Sequence, residues 1–305
     1  MKIYLRRLKD NKLILLDKPQ KGCWILVDED DLDDLETISK KLKISHNLLK
    51  DSFDILELPR LEIFQNKLYL FVRGILSNQD SLSMYPILFV VAEDYILTAS
   101  RKATYFFNPF LNQRINFYTT QKTKFLLLSL LMINREYRKY INKIAKEIDF
   151  FQENIIDFTD QKIIEISRKE LLLSSLLTTL SYMNKVYENI LHREYLDFLQ
   201  EEKNIVDDLG ISVQELIEIL RYNLKRVQSI KSSYVNIMNS VINTRLQYLT
   251  ILTVLLFIPT IIFSLYGMNI ELPLQSHKNA FYYINLINFL LVTVTIVIFK
   301  LKKWL

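Results

Sequence analysis

The sequence predicts an α+β domain, a long stalk helix and a C-terminal hairpin of two membrane-spanning helices. Three observations predict it. Charged residues make up 24% of the 305 positions, yet Leu246–Ile270 and Asn279–Phe299 contain none. Each of those runs reaches the roughly 20 residues that carry a helix across a hydrocarbon core. Short β-rich runs alternate with helical stretches over the first hundred residues. Between Pro109 and Pro259 there is no proline, and Gly210 is the only glycine.

Taken in order, residues 1–120 form the α+β domain. The runs "KLILL", "CWILV", Lys67–Leu76 and Tyr85–Ser100 read as strands, bounded by turn residues. Leu32–Lys43 and Ser45–Phe53 read as helices. The acidic run "DEDDLDDLE", Asp28–Glu36, lacks the glycine and terminal glutamate of a calcium loop. Its acids begin a helix whose far end carries Lys40, Lys41 and Lys43, as the helix dipole prefers.

Residues 121–210 are expected to form a helical hairpin region, with hinges near Phe158–Gln161 and Lys203–Gly210. A stalk helix over 211–247 then runs without a stop signal into the first span, 248–269. From about Ser212 that helix is on the order of 80 Å long. A short loop, 270–279, leads to the second span, 280–299, and a basic tail, 300–305.

Topology follows from the flanks. Lys225, Arg226 and Arg245 precede the first span, and Lys300, Lys302 and Lys303 follow the second. The loop carries only Glu271, His277 and Lys278. Lysine and arginine mark the cytoplasmic side, so both ends are expected inside and the loop outside. The α+β domain is then cytosolic, in a cell membrane protein. A single cysteine, Cys23, excludes an internal disulfide and fits a reducing compartment. The basic N-terminus is interrupted by charges and lacks the apolar core of a signal peptide. A net charge of +5 without any basic-aromatic cluster does not point to nucleic acid.

The first span has a patterned face. At 100° per residue, Asn243, Leu246, Thr250, Thr253, Phe257, Thr260, Ser264 and Gly267 fall within roughly a third of the circumference. The opposite face, with Leu252, Leu255, Leu256, Ile262 and Phe263, is apolar. Such a stripe faces protein or water rather than lipid. Small and hydroxylated residues serve helix packing, and they also line pores. One stripe per chain cannot enclose a channel, so the pore reading requires several copies around an axis. Polar residues inside the second span are few, Thr293 and Thr295 being the ones read, which suits a lipid-facing outer ring. At the outer end of the stripe stand Gly267, Met268 and Asn269. A ring of neutral amide oxygens suits Mg²⁺, which dehydrates reluctantly and keeps several waters.

The string Tyr266-Gly267-Met268-Asn269, closing the first of two C-terminal spans, resembles the signature of the CorA family of divalent-cation channels. The likeness extends over Asn243–Asn269 and the basic end "KLKKW". It implies a homopentameric funnel in the lipid bilayer. Gly267, Met268 and Asn269 would form the selectivity filter for hydrated Mg²⁺. Thr260 and Asn243 would form polar rings, with Thr250, Thr253 and Ser264 also lining the pore. Leu246 and Leu249 would supply a hydrophobic constriction, and Phe257 a further narrowing. The family proline is displaced by one, to Pro259. Glu271 stands in the external loop.

The resemblance also implies regulatory metal sites between neighbouring cytosolic domains. Asn47–Phe64 matches the segment that carries one carboxylate and places Asp51 there; Asp208 is its counterpart near the stalk. Lys50 replaces the glutamate that the family has before this aspartate, and Asp54 and Asp207 stand as substitutes.

The function expected is passive, potential-driven uptake of Mg²⁺, closed by intracellular Mg²⁺, with the ion as cargo and regulator and no resident cofactor. One alternative is a zinc or cobalt/nickel transporter of the same superfamily. Another is a membrane-anchored scaffold without transport. No constellation of His, Cys and carboxylate suggests an enzyme.

Overall fold

A computed structural model describes the chain apart from residues 11, 78–81, 156–159, 193–199, 275, 303 and 305. The described residues divide into two compact units, Met1–Ile230 and Lys231–Leu305.

The first unit is built on a seven-stranded sheet: β1 Lys2–Leu5, β2 Ile14–Leu16, β3 Cys23–Val27, β4 Arg60–Phe64, β5 Lys67–Ser77, β6 Leu82–Val91 and β7 Tyr95–Ala99. Their order is β2-β1-β3-β7-β6-β5-β4, antiparallel except for the central β3–β7 pair. That pair is fully buried and, apart from Thr98, carries side chains of apolar or aromatic character on both faces, the pattern of a strand covered on two sides. The run 85–100 is two strands, because the turn at Glu93-Asp94 reverses the chain between β6 and β7. β1, at the start of the chain, and β4, at the edge of the sheet, are strands beyond those the sequence predicts. Each is short, and each is held by pairing to a longer partner.

On one face lie a 3-10 helix, Glu29–Asp34, then α1 Leu35–Leu42 and α2 His46–Asp51. The acidic run does start this helical stretch: Asp28 caps it, and Asp31 reaches back to the Asp28 backbone N–H in a capping box. Lys43 ends α1 in the left-handed conformation, φ 51°. The other face carries an aromatic cluster. Trp24 packs on Phe107, Phe117 and Phe125 and donates its indole N–H to Thr98 Oγ1 at 2.9 Å. Phe107 belongs to α3, Ala103–Leu111, which tolerates Pro109 in its last turn. Gly22 turns into β3 at φ 80°, where a Cβ would also stand 2.7 Å from Thr120.

Three long helices follow: α4 Lys122–Glu153, α5 Asp160–His192 and α6 Gln200–Tyr266. Lys169 of α5 pairs with Glu147 of α4, and Tyr187 donates to Asn134 at 3.4 Å, so α4 and α5 run antiparallel. Arg138 pairs with Glu215, and Arg226 with Asp149, both 77 residues apart; α4 and α6 therefore run parallel and in register.

The hinge expected at Lys203–Gly210 is not there. α6 is helical from Gln200 through Gly210 and onward. One glycine costs a helix about 1 kcal/mol. Burial of Val206, Leu209, Val213, Leu216 and Leu220 at helical spacing outweighs that. The other expected hinge, Phe158–Gln161, falls partly outside the described residues, and α5 is already helical at Asp160.

Candidate functional site

The second unit comprises the end of α6 and α7, Ala280–Leu301. Both are long and apolar enough to cross a membrane, with mean hydropathy 2.3 and 2.2. They bury little of themselves, and what they do bury defines how they meet. On α6, Ile251 is buried and Leu255, Ile258, Pro259, Ile262 and Tyr266 are half-buried. On α7, Asn288 is buried and Ile284, Asn285, Val292, Thr295 and Phe299 are half-buried. Both sets recur at three and four residues, one stripe per helix. At the inner end Gln247 Nε2 donates to the Trp304 carbonyl at 3.0 Å, and Trp304 stacks on Phe299.

The polar stripe of α6 lies on the side opposite to α7. Asn243, Thr250, Thr253, Thr260, Ser264 and Gly267 are all exposed, as are Leu246 (54%), Leu249 (59%) and Phe257 (61%). Packing within the hairpin therefore does not account for the stripe. Leu252, Leu256 and Phe263 occupy a third sector, exposed and wholly apolar. One helix thus has a side for its partner, a side fit for lipid and a side of hydroxyls that no other helix covers among the described residues.

The hydroxyls are oriented. Thr250, Thr253 and Thr260 each donate to the carbonyl four residues back, at 2.8 Å. With the proton committed to the helix, the remaining lone pairs make each side chain an acceptor toward the exposed side. Pro259 has no N–H for the Leu255 carbonyl, which leaves one backbone acceptor on the α7 side.

At the outer end α6 closes in a tightened turn: the Gly267 N–H bonds to the carbonyls of Phe263 (3.0 Å) and Ser264 (3.3 Å), and the Met268 N–H to Leu265 at 3.2 Å. Gly267 does not have a positive φ, and a Cβ there would meet only those two carbonyls of its own helix, the nearer at 3.3 Å. Backbone conformation does not demand glycine here; the missing side chain leaves the end of the stripe open. Asn269 is exposed and its amide has no partner among the described residues. Glu271 is exposed beyond it, and Tyr266 ties the loop down by donating to the Pro273 carbonyl at 3.1 Å.

Two polar residues of the second span escaped the sequence reading. Asn285 and Asn288 stand three apart in an apolar helix, on the face turned to α6. Asn285 bonds to the Phe281 carbonyl at 2.8 Å. Asn288 is 6% exposed, and its Oδ1 has no partner among the described residues. The spacing was the available signal. Thr293 is exposed and Thr295 half-buried, each donating to its own helix.

The four carboxylates expected to bind a regulatory ion differ in their surroundings. Asp207 and Asp208 are exposed on α6 and form no ion pair among the described residues. Asp54 is exposed and accepts from the Leu56 N–H at 3.0 Å. Asp51, the last residue of α2, is paired with Arg60 at 2.8 Å. Among the described residues no three His, Cys, Asp or Glu side chains of this chain gather as a metal site. Cys23, the first residue of β3, is buried, and burial raises its thiol pKa, so it is no candidate ligand.

Comparison with known proteins agrees with this architecture. The family described as CorA-like Mg2+ transporter protein matches residues 19–303. The cobalt/magnesium transport protein CorA of Methanocaldococcus jannaschii is 24% identical, over 97% of this chain and 93% of that protein. The complete structure of the CorA magnesium transporter from the same organism superposes with a TM-score of 0.88 at 18% identity, covering 100% of this chain and 98% of the other. The full-length CmaX protein matches at TM-score 0.72 and 13% identity, over 97% of both chains. The cytoplasmic domain of ZntB from Vibrio parahaemolyticus matches at 0.63 and 10%, over 79% of this chain and 98% of that one. A family match over nearly the whole length, on a fold with two spanning helices, makes this chain an integral membrane protein of the CorA family of divalent-cation transporters.

Proposed function

We propose that the chain conducts Mg²⁺ passively into the cell, through a pore formed where the α6 helices of several copies, five on the family pattern, converge. The observation that carries this reading is the placement of the hydroxyl stripe, exposed and opposite to α7, with the unpartnered Asn269 amide at its outer end. Hydroxyl and amide oxygens in rings accept from the waters of a hydrated cation without stripping them. Leu246, Leu249 and Phe257 interrupt the stripe with apolar side chains and would narrow the path between polar rings. Inside-negative potential contributes about 2.3 kcal/mol per charge per 100 mV, which draws a divalent ion inward without a nucleotide. The flanking lysines and arginines put both ends of the chain in the cytosol.

Closure by intracellular Mg²⁺ belongs to the same proposal. Asp54, Asp207 and Asp208 are the exposed carboxylates open to an ion, whereas Asp51 already has a cationic partner. The oxygen donors of the stripe favour Mg²⁺ over softer ions. Co²⁺, named for the relative from Methanocaldococcus jannaschii, is the second cargo that such a filter would pass.

The test is uptake into vesicles of the reconstituted chain. Asn269→Ala is expected to abolish potential-driven Mg²⁺ flux while leaving thermal stability unchanged. Undiminished flux would refute the filter at Asn269, whereas no Mg²⁺ flux from the unaltered chain would return the zinc or cobalt/nickel transporter and the scaffold to consideration.

A further inference from the structure

The regulatory site that family membership implies is built around a carboxylate at Asp51, and the residues present do not fit a divalent ion there. Asp51 Oδ2 accepts from Arg60 Nη2 at 2.8 Å. The same guanidinium donates from Nε to Glu62 at 2.5 Å and from Nη1 to Glu57. Its flat face lies over the Phe71 ring, 4.3 Å from the centroid. Every nitrogen of Arg60 is thus engaged by a carboxylate, and one face is covered by an aromatic ring. Lys50, exposed on α2, precedes Asp51 in sequence where the family has a carboxylate. A divalent ion at Asp51 would have to share the carboxylate with the guanidinium, against its positive charge.

We propose that in this chain Arg60 is a resident cation that takes the place of the regulatory ion at Asp51. The guanidinium joins three pieces of the domain. Asp51 is the last residue of α2, Arg60 and Glu62 lie on the edge strand β4, and Phe71 lies directly across from Arg60 on β5. A divalent ion in that position would hold its carboxylates only while its free concentration lasts. A guanidinium attached to the chain does so at any Mg²⁺ concentration. The three carboxylates would otherwise repel one another, and Arg60 leaves them with net charge −2 within the cluster, at side chains 15–42% exposed. Any sensing of intracellular Mg²⁺ then falls to carboxylates other than Asp51.

This inference rests on the transport reading only in that it concerns the same protein's regulation, and its test separates the two. Full-length protein in vesicles is titrated with Mg²⁺, at constant ionic strength, and the midpoint for protection from trypsin is recorded. Asp51→Asn is expected to leave the wild-type midpoint, or its absence, within about twofold. Arg60→Gln frees three carboxylates, and protection is expected at about tenfold lower Mg²⁺. Asp51→Asn in the Arg60→Gln background should cancel that gain. A wild-type midpoint that Asp51→Asn raises by about tenfold would overturn the proposal. So would a folded Arg60→Gln protein with no gain in Mg²⁺ response. Should Arg60→Gln fail to fold, the Asp51→Asn comparison alone decides. Loss of the transport reading would show separately, as Mg²⁺ flux in the same vesicles that ignores Asn269→Ala.

Discussion

In the proposed pore, Thr260 would serve an ion without disturbing its helix. Its proton goes to the Leu256 carbonyl at 2.8 Å, and the oxygen is left as an acceptor on the exposed side. Thr260→Val keeps the shape and removes that acceptor. Because the side chain touches no other element, hairpin stability should not change. Mg²⁺ flux should fall by about fivefold or more, the worth of one hydrogen bond of roughly 1 kcal/mol. Equal flux in vesicles carrying Thr260→Val would take Thr260 out of the conduction path. At the same scale, the string proposed as the filter, Gly267-Met268-Asn269, is conspicuous in the sequence by composition: only four glycines occur in 305 residues. The role of Arg60 was not legible. Glu57 and Glu62 are ordinary neighbours in sequence, and only the return of the chain from α2 into β4 brings Asp51 to the same guanidinium.

Among the elements, α4 and α6 are fastened by pairs at a constant offset. Arg138 meets Glu215 through two bonds, 2.8 and 2.6 Å. The Arg138 hydrogen bonds hold the Glu215 carboxyl below its ordinary range. A depressed carboxylate pKa stabilises the fold above the unfolded value, near 4.3, and that contribution is lost as pH falls through the folded value. Glu215→Gln should therefore lower the Tm of the full chain at pH 7, by a small amount since the pair is exposed. The difference should close as the pH is taken below about 4. A Tm difference independent of pH would show that the carboxylate charge is not what the pair contributes. The long helix was legible from the absence of proline, but its start was not. Gly210 looked like a hinge because local propensity is read without the buried Val206, Leu209 and Val213 that hold the helix through it.

For the whole molecule, the exposed stripe makes a statement about copies. A cysteine placed at Asn269 should cross-link between chains through a short bismaleimide and give a ladder ending at five. Cys23 needs no removal, being buried with its thiol pKa raised. A ladder that stops at two, or no cross-link at all, would remove the common axis that the proposed filter requires. A cysteine at Leu252, on the apolar sector away from the stripe, is the control and should not cross-link.

The sequence by itself determined the two spans, their flanking charges, the α+β domain before them and the residues at the outer end of the first span. These follow from charge, periodicity and composition, which are local and additive along the chain. Tertiary structure decided which face of each span is covered. The stripe on α6 turns away from α7, while Asn285 and Asn288 of α7 turn toward α6. Periodicity shows that a helix has two faces, but only the partner helix shows which one is left open. Tertiary structure also decided that Asp51 faces Arg60, because a charge finds its partner through the path of the backbone and not through its place in the chain.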